Sequence, residues 1–206
     1  MTQFDCTGVI LAGGENNRLP GKKKTFRRVG DLSMLEQIHT LFTRLFKEVI
    51  IVVNDPGAFT GPDAMVVTDI VPARCALAGL HAGLFHASFP WSYATACDVP
   101  FASEAVIRHL WASRSKGKEI IIPRTREGLE PLSALYHKSC LPRIEKNLSE
   151  NRFMIKTFFK AKRVREVPPE TLERIDPQMR FKFNVNTPED LAMARTMAGD
   201  GQEQDS

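Results

Sequence analysis

Apolar runs alternate with amphipathic stretches along most of this chain. Residues 7–12, 48–53, 64–67, 93–97, 119–122 and 132–136 read as strands. Several of these are too uniformly apolar to leave one face in water, the mark of strands covered on both sides. Across 34–46, Leu35, Ile38, Leu41, Phe42 and Leu45 recur at helical spacing. Residues 77–87, 103–113, 139–148 and 188–197 are further helices, with Ser103 before Glu104 and Thr187 before Pro188 as starts, by capping and by proline in the first turn. Alternating strands and helices predict a layered α/β domain with a largely parallel sheet and helices on both faces. Joints such as Asp55-Pro56-Gly57 are too short to link domains, so residues 1–198 read as one domain and 199–206 as a polar, acidic tail.

Ligands of open α/β sheets sit beyond the carboxyl ends of the strands. Gly13-Gly14, Asn54 and Asp98 each follow a predicted strand, so one crevice is expected to hold all three. The first strand, Val9-Ile10-Leu11-Ala12, breaks into Gly13-Gly14, with Arg18 and Lys24 shortly after. Glycines allow positive φ and close backbone approach to a ligand, and the two cations suit phosphates. The dinucleotide pattern G-x-G-x-x-G fails because the glycines are adjacent. The pattern G-x-x-x-x-G-K-[ST] fails because Asn16 and Lys23 occupy required positions. An ordinary strand-to-loop turn accounts for the glycines alone, and for Arg18 and Lys24 less well.

Composition is that of an ordinary globular protein, with 43% apolar and 25% charged residues. Cys6, Cys75, Cys97 and Cys140 form no C-x-x-C pair and read as structural thiols, and the five histidines show no metal-ligand spacing. Without a signal peptide or a long apolar span, a cytoplasmic location and no membrane partner are expected. The net charge of +4 is unevenly spread. Lys22, Lys23, Lys24, Arg27 and Arg28 form one cluster, and Lys156, Lys160, Lys162, Arg163 and Arg165 another. No recognition helix or aromatic-rich strand accompanies them, so a small polyanion is expected rather than nucleic acid. A solvated basic face explains the second cluster equally well.

Four segments carry a family resemblance. Leu11-Ala12-Gly13-Gly14, with Arg18, Gly21 and Lys24, resembles the signature loop of GT-A-like nucleotidyltransferases. Within these the chain is most similar to the molybdenum cofactor guanylyltransferases, with their pattern L-A-G-G-x-x-x-R-M-G-x-x-K. Asp98-Val99-Pro100-Phe101 resembles that family's metal-site segment. Pro131-Leu132-Ser133-Ala134-Leu135-Tyr136 resembles its P-x-x-A-L-Y strand, and Asn184-Val185-Asn186-Thr187-Pro188-Glu189-Asp190-Leu191 its N-x-N-T-P-E-D-L motif. The matches run in family order over most of the chain.

The resemblance implies a three-layer α/β/α, Rossmann-like fold with a mostly parallel mixed sheet. It implies transfer of GMP from GTP to the phosphate of molybdopterin (molybdenum cofactor), with release of pyrophosphate and with Mg2+ as cofactor. Leu11, Ala12 and Gly13 then meet the base and ribose, while Gly14, Arg18 and Lys24 cradle the phosphates. Asp98 is the metal ligand, Asn54, Asp69 and Gly79 contact the nucleotide, and Asn184 and Asn186 support the metal or the acceptor. Lys24, Arg18 and Asp98 carry the catalysis. Lys160 and Lys162 are the expected docking point of the anionic acceptor. Cofactor-insertion proteins or target molybdoenzymes are the further partners implied. Lys23 replaces the family's usual Asp, and Cys75-Ala76 replace Gly-Pro in G-P-L-A-G, departures that bear on base selectivity. Alternatives are cytidylyl transfer to molybdopterin, nucleotidyl transfer to a sugar or alcohol phosphate, and a non-catalytic nucleotide-binding regulator.

Overall fold

The computed structural model describes residues 2–13, 27–59 and 61–199. Its main sheet has seven strands. The first, β1 (Phe4–Leu11), leads through a short hairpin, β2 (Arg28–Val29) and β3 (Leu32–Ser33), into helix α1 (Met34–Leu45). Gly30 turns that hairpin with a φ of +68°, a conformation that favours glycine. Ser33 starts α1 with a capping box. Its hydroxyl accepts from Glu36 N–H at 3.2 Å, and its own N–H donates to the Glu36 carboxylate at 2.7 Å. Leu35, Ile38, Phe42 and Leu45 fall on the buried stripe that the spacing predicts.

Next come β4 (Phe46–Val53), β5 (Met65–Thr68), α2 (Ala76–His86), β6 (Trp91–Ala96), α3 (Glu104–Ala112), β7 (Ile120–Pro123) and β8 (Ser133–His137). The chain ends with α4 (Leu141–Ser149), β9 (Val164–Val167), α5 (Pro169–Ile175) and α6 (Pro188–Gly199). Strand order is β5-β4-β1-β6-β8-β7-β9. All neighbours are parallel except β8, which inserts antiparallel between β6 and β7. Alternate residues of the central strands serve opposite cores. Val9, Leu11, Ile50 and Val52 pack under α2 and α4. Ile10, Ile51 and Val53 pack under α1, α3 and α5. A third, smaller cluster joins Val29 and Met34 to Val185, Leu191 and Ala194, seating α6 against the β2–β3 hairpin.

This is the expected three-layer mixed α/β architecture. Three elements lay outside the sequence pattern: the hairpin, β9 and α5. The hairpin strands are two residues each, and β9 is buried only at its two ends, so neither shows a period of two. The start of the helix expected over 139–148 is a 3-10 turn, Lys138–Cys140, before α4 proper. Among the described residues no helix is long and apolar enough to cross a membrane.

Candidate functional site

From β1 the chain builds outward through β4 to β5, then α2 crosses back to place β6 on the other side of β1. That reversal is a topological switch point, where adjacent strand ends diverge and leave room for a ligand. A crevice of about 360 Å³ opens there, beyond the carboxyl ends of β1, β4 and β6. It gathers Leu11, Gly13, Asn54, Asp69, Gly79, Asp98, Asn184 and Asn186, eight of the expected site residues from six separate segments.

The backbone fixes these positions. Ala12 N–H donates to Val52 C=O at 2.7 Å and Cys97 N–H to Leu11 C=O at 2.9 Å, tying the end of β1 to both neighbours. Val185 N–H donates to Asp98 C=O at 2.8 Å, which brings Asn184 and Asn186 beside the end of β6. Gly13 is there for close approach rather than for a special turn. Its φ is not positive, and a Cβ on it would overlap Asn54 Oδ1. Gly79 faces Leu11, whose Cδ2 would lie 3.2 Å from an added Cβ.

Helix capping does not account for the polar residues at the crevice. Ser103 caps α3, accepting from Val106 N–H at 3.4 Å, so Asp98 is not that helix's cap. At α6, Thr187 Oγ1 accepts from Asp190 N–H at 3.1 Å. The Asp190 carboxylate in turn accepts from the N–H groups of Asn186 and Thr187, both at 2.8 Å. These cap oxygens belong to Thr187 and Asp190. Asp69 is half-buried. Burial holds its carboxyl above the ordinary carboxylate value, against the opposing charge of His81.

Some expected residues fall elsewhere. Ala12 does not line the crevice, and its N–H is engaged by the sheet. Lys160 and Lys162 are not brought to the crevice either. They precede β9 at its amino end, the opposite edge of the sheet, where Lys118 Nζ donates to Lys162 C=O at 3.0 Å. Arg163, from the same basic cluster, pairs there with Glu119, which also takes Arg143 at 2.5 Å. Gly14, Arg18 and Lys24 lie outside the described residues.

Of the lining residues that were not expected from sequence, Arg74 is the charged one. Arg74 and Cys75 stand between Asp69 and Gly79, both expected at the site, and that flanking was the available signal. Cys6, Cys97 and Cys140 are buried thiols, as expected of structural cysteines, although Cys97 also reaches the crevice. Cys75 is half-buried at the start of α2, and its thiol makes no capping hydrogen bond. Among the described residues no three His, Cys, Asp or Glu side chains gather as a metal cage.

Comparison with known proteins gives this crevice a family. Residues 8–166 match the model of the MobA-like NTP transferase domain. A molybdenum cofactor guanylyltransferase of Desulfosudis oleivorans is 36% identical over 188 residues, 91% of this chain and 93% of its own. A relative from Pelotomaculum thermopropionicum is 37% identical over 95% of this chain and 94% of its own. The crystal structure of molybdopterin-guanine dinucleotide biosynthesis protein A from Archaeoglobus fulgidus superposes with a TM-score of 0.81 and 25% identity. It covers 94% of this chain and 99% of that one. By its MobA-like NTP transferase domain and by identity over nearly its whole length, the chain belongs to the molybdenum cofactor guanylyltransferase family.

Proposed function

We propose that this protein transfers GMP from GTP to the phosphate of molybdopterin and releases pyrophosphate. The observation that carries this reading is the gathering of Leu11, Gly13, Asn54, Asp69, Gly79 and Asp98 in one crevice at the switch point of the sheet. The acceptor oxygen attacks the α-phosphorus, a new P–O bond forms, and the bond to the β-phosphate oxygen breaks. An acceptor that is already a phosphate is ionised at neutral pH, so no residue must remove its proton.

Negative charge grows on the α-phosphate and on the leaving pyrophosphate, and catalysis consists largely of placing positive charge against it. Lys24 and Arg18 follow Gly13 in the chain and supply that charge in this reading. Asp98 and the side-chain oxygens of Asn184 and Asn186 are hard donors at the mouth of β6. That set fits a magnesium ion, which takes one or two carboxylates and completes its shell with substrate phosphates and water. When bound, such an ion offsets charge on the α-phosphate and the leaving group. Asp69 and Asn54, at the other end of the crevice, hold the nucleoside. Leu11 and Val52 give the base an apolar floor.

The test is pyrophosphate release from GTP, CTP, ATP and UTP, each with magnesium and molybdopterin. Release with GTP alone, abolished by Asp98→Ala and by Lys24→Ala, is the expected result. Release with CTP instead would reassign the nucleotide. Binding of nucleotide with no release would overturn molybdopterin as the acceptor and point to a different acceptor or a non-catalytic role.

A further inference from the structure

The crevice has two chemically different ends. Asp69 and Arg74 come from the segment joining β5 to α2, whereas Asp98 follows β6. Strands β4 and β1 lie between β5 and β6. The carboxyl ends of β5 and β6 are thus three inter-strand spacings, roughly 14 Å, apart, and the Asp69 carboxylate reaches inward from the β5 side, its Oδ1 3.7 Å from where a Cβ on Gly79 would stand. If guanylyl transfer is the reaction, as proposed above, the phosphates belong at Asp98. Asp98 would hold them through the magnesium ion proposed above, whereas no such ion is proposed at Asp69, so that end takes the base.

Among the described lining residues Arg74 is the one cation, and it stands at the base end. Its backbone is held on both sides by tight three-residue turns. Ala73 N–H donates to Val71 C=O and Cys75 N–H to Ala73 C=O, each at 2.7 Å. Arg74 is exposed and lines the rim of the crevice. Guanine offers O6 and N7 side by side, a pair of acceptors that matches the two-pronged donor face of an arginine. Adenine presents an amino donor where guanine has O6, and cytosine has no counterpart of N7.

We propose that Arg74 is a specificity-determining residue of this protein, donating to O6 and N7 of the guanine while Asp69 accepts from its N1–H and N2 amino group. The pairing selects guanine by its complete donor and acceptor pattern. Arg74 also directly precedes the departure from the family pattern, Cys75-Ala76, that leads into α2.

The experiment is calorimetric titration of the full chain with GTP, ATP and 7-deaza-GTP, in which a C–H replaces N7. Wild-type protein is expected to bind 7-deaza-GTP roughly tenfold more weakly than GTP, since one bond of a charged bidentate pair is lost. Arg74→Gln should weaken GTP by at least as much and erase the gap between the two. Arg74→Lys, which keeps the charge but not the fork, should also close most of that gap. If Arg74→Gln weakens all three nucleotides by one common factor, Arg74 serves phosphates and the proposal falls. It falls equally if the variant binds GTP as wild type does. Failure of the guanylyl-transfer reading is distinct: it shows as a wild-type chain that does not prefer GTP in pyrophosphate release, whatever Arg74 does.

Discussion

Replacing Gly13 with alanine isolates the contact that shapes the nucleotide end of β1. Alanine is permitted by the backbone, because φ at Gly13 is not positive. The obstruction is local. The new Cβ would overlap Asn54 Oδ1 and stand 3.3 Å from both Asn54 Cγ and Asn54 N. The Asn54 side chain is exposed and can turn away, so little folding stability is at stake, under about 1 kcal/mol for a rim position. Turning away removes Asn54 from the nucleotide. One lost hydrogen bond is worth about 0.5–1.5 kcal/mol, or roughly 2- to 12-fold in affinity. Calorimetry with GTP should therefore show Gly13→Ala and Asn54→Ala weakened by similar factors at nearly unchanged Tm. The double variant should bind no worse than Asn54→Ala alone, a coupling of about 1 kcal/mol in the mutant cycle. Additive losses, or wild-type affinity in Gly13→Ala, would refute the idea that Gly13 acts through Asn54.

Other consequences follow from the packing and the charges. In α2, a Cβ on Gly83 would overlap Val9 Cγ1 in the middle of β1. Overpacking costs about 1–3 kcal/mol and outweighs the roughly 1 kcal/mol alanine gains in a helix, so Gly83→Ala should lower Tm by a few degrees in a thermal melt. A raised Tm would show that α2 shifts freely. Burial pushes the Glu119 carboxyl up, but hydrogen bonds from Ser139, Arg143 and Arg163 outweigh it and hold its pKa below the ordinary value. Its stabilisation is therefore present above the ordinary glutamate range and is lost as pH falls below about 4. Glu119→Gln should cost about 1–3 kcal/mol at pH 7 and flatten that acid limb in urea titrations; an unchanged limb would count against it. Reversing charge at Lys160 and Lys162 should leave both GTP affinity and the acceptor KM unchanged, because both lie at the far edge of the sheet. A raised acceptor KM alone would place acceptor docking at that edge.

Residue pattern made β1, β4, β6 and α1 legible, because a strand or helix covered by core writes its period or its apolar run directly into the chain. Expected positions of Asn54, Asp69, Asp98 and Asn184 were legible for another reason. Each stands in a short motif, or just after a strand, where chain geometry alone points toward the carboxyl edge. Gly13 lines the crevice, and a Cβ there would overlap Asn54, 41 positions away along the chain and brought beside it through the β1–β4 pairing. The second basic cluster looked continuous in sequence. Folding divides its work, with Arg163 paired to Glu119 and Lys156 set beside the turn at Gly128.

What the sequence determined by itself is the set of elements, the layered α/β class and most of the chemical groups at the crevice, because local periodicity and motif spacing are properties of neighbouring residues. Only the tertiary structure decided which strands became neighbours, that β8 runs antiparallel between β6 and β7, and that Arg74 shares a crevice with Asp98 while Lys160 and Lys162 do not. Pairing and strand direction depend on contacts between residues far apart in the chain. An apolar run states that a strand is buried, not beside which partner.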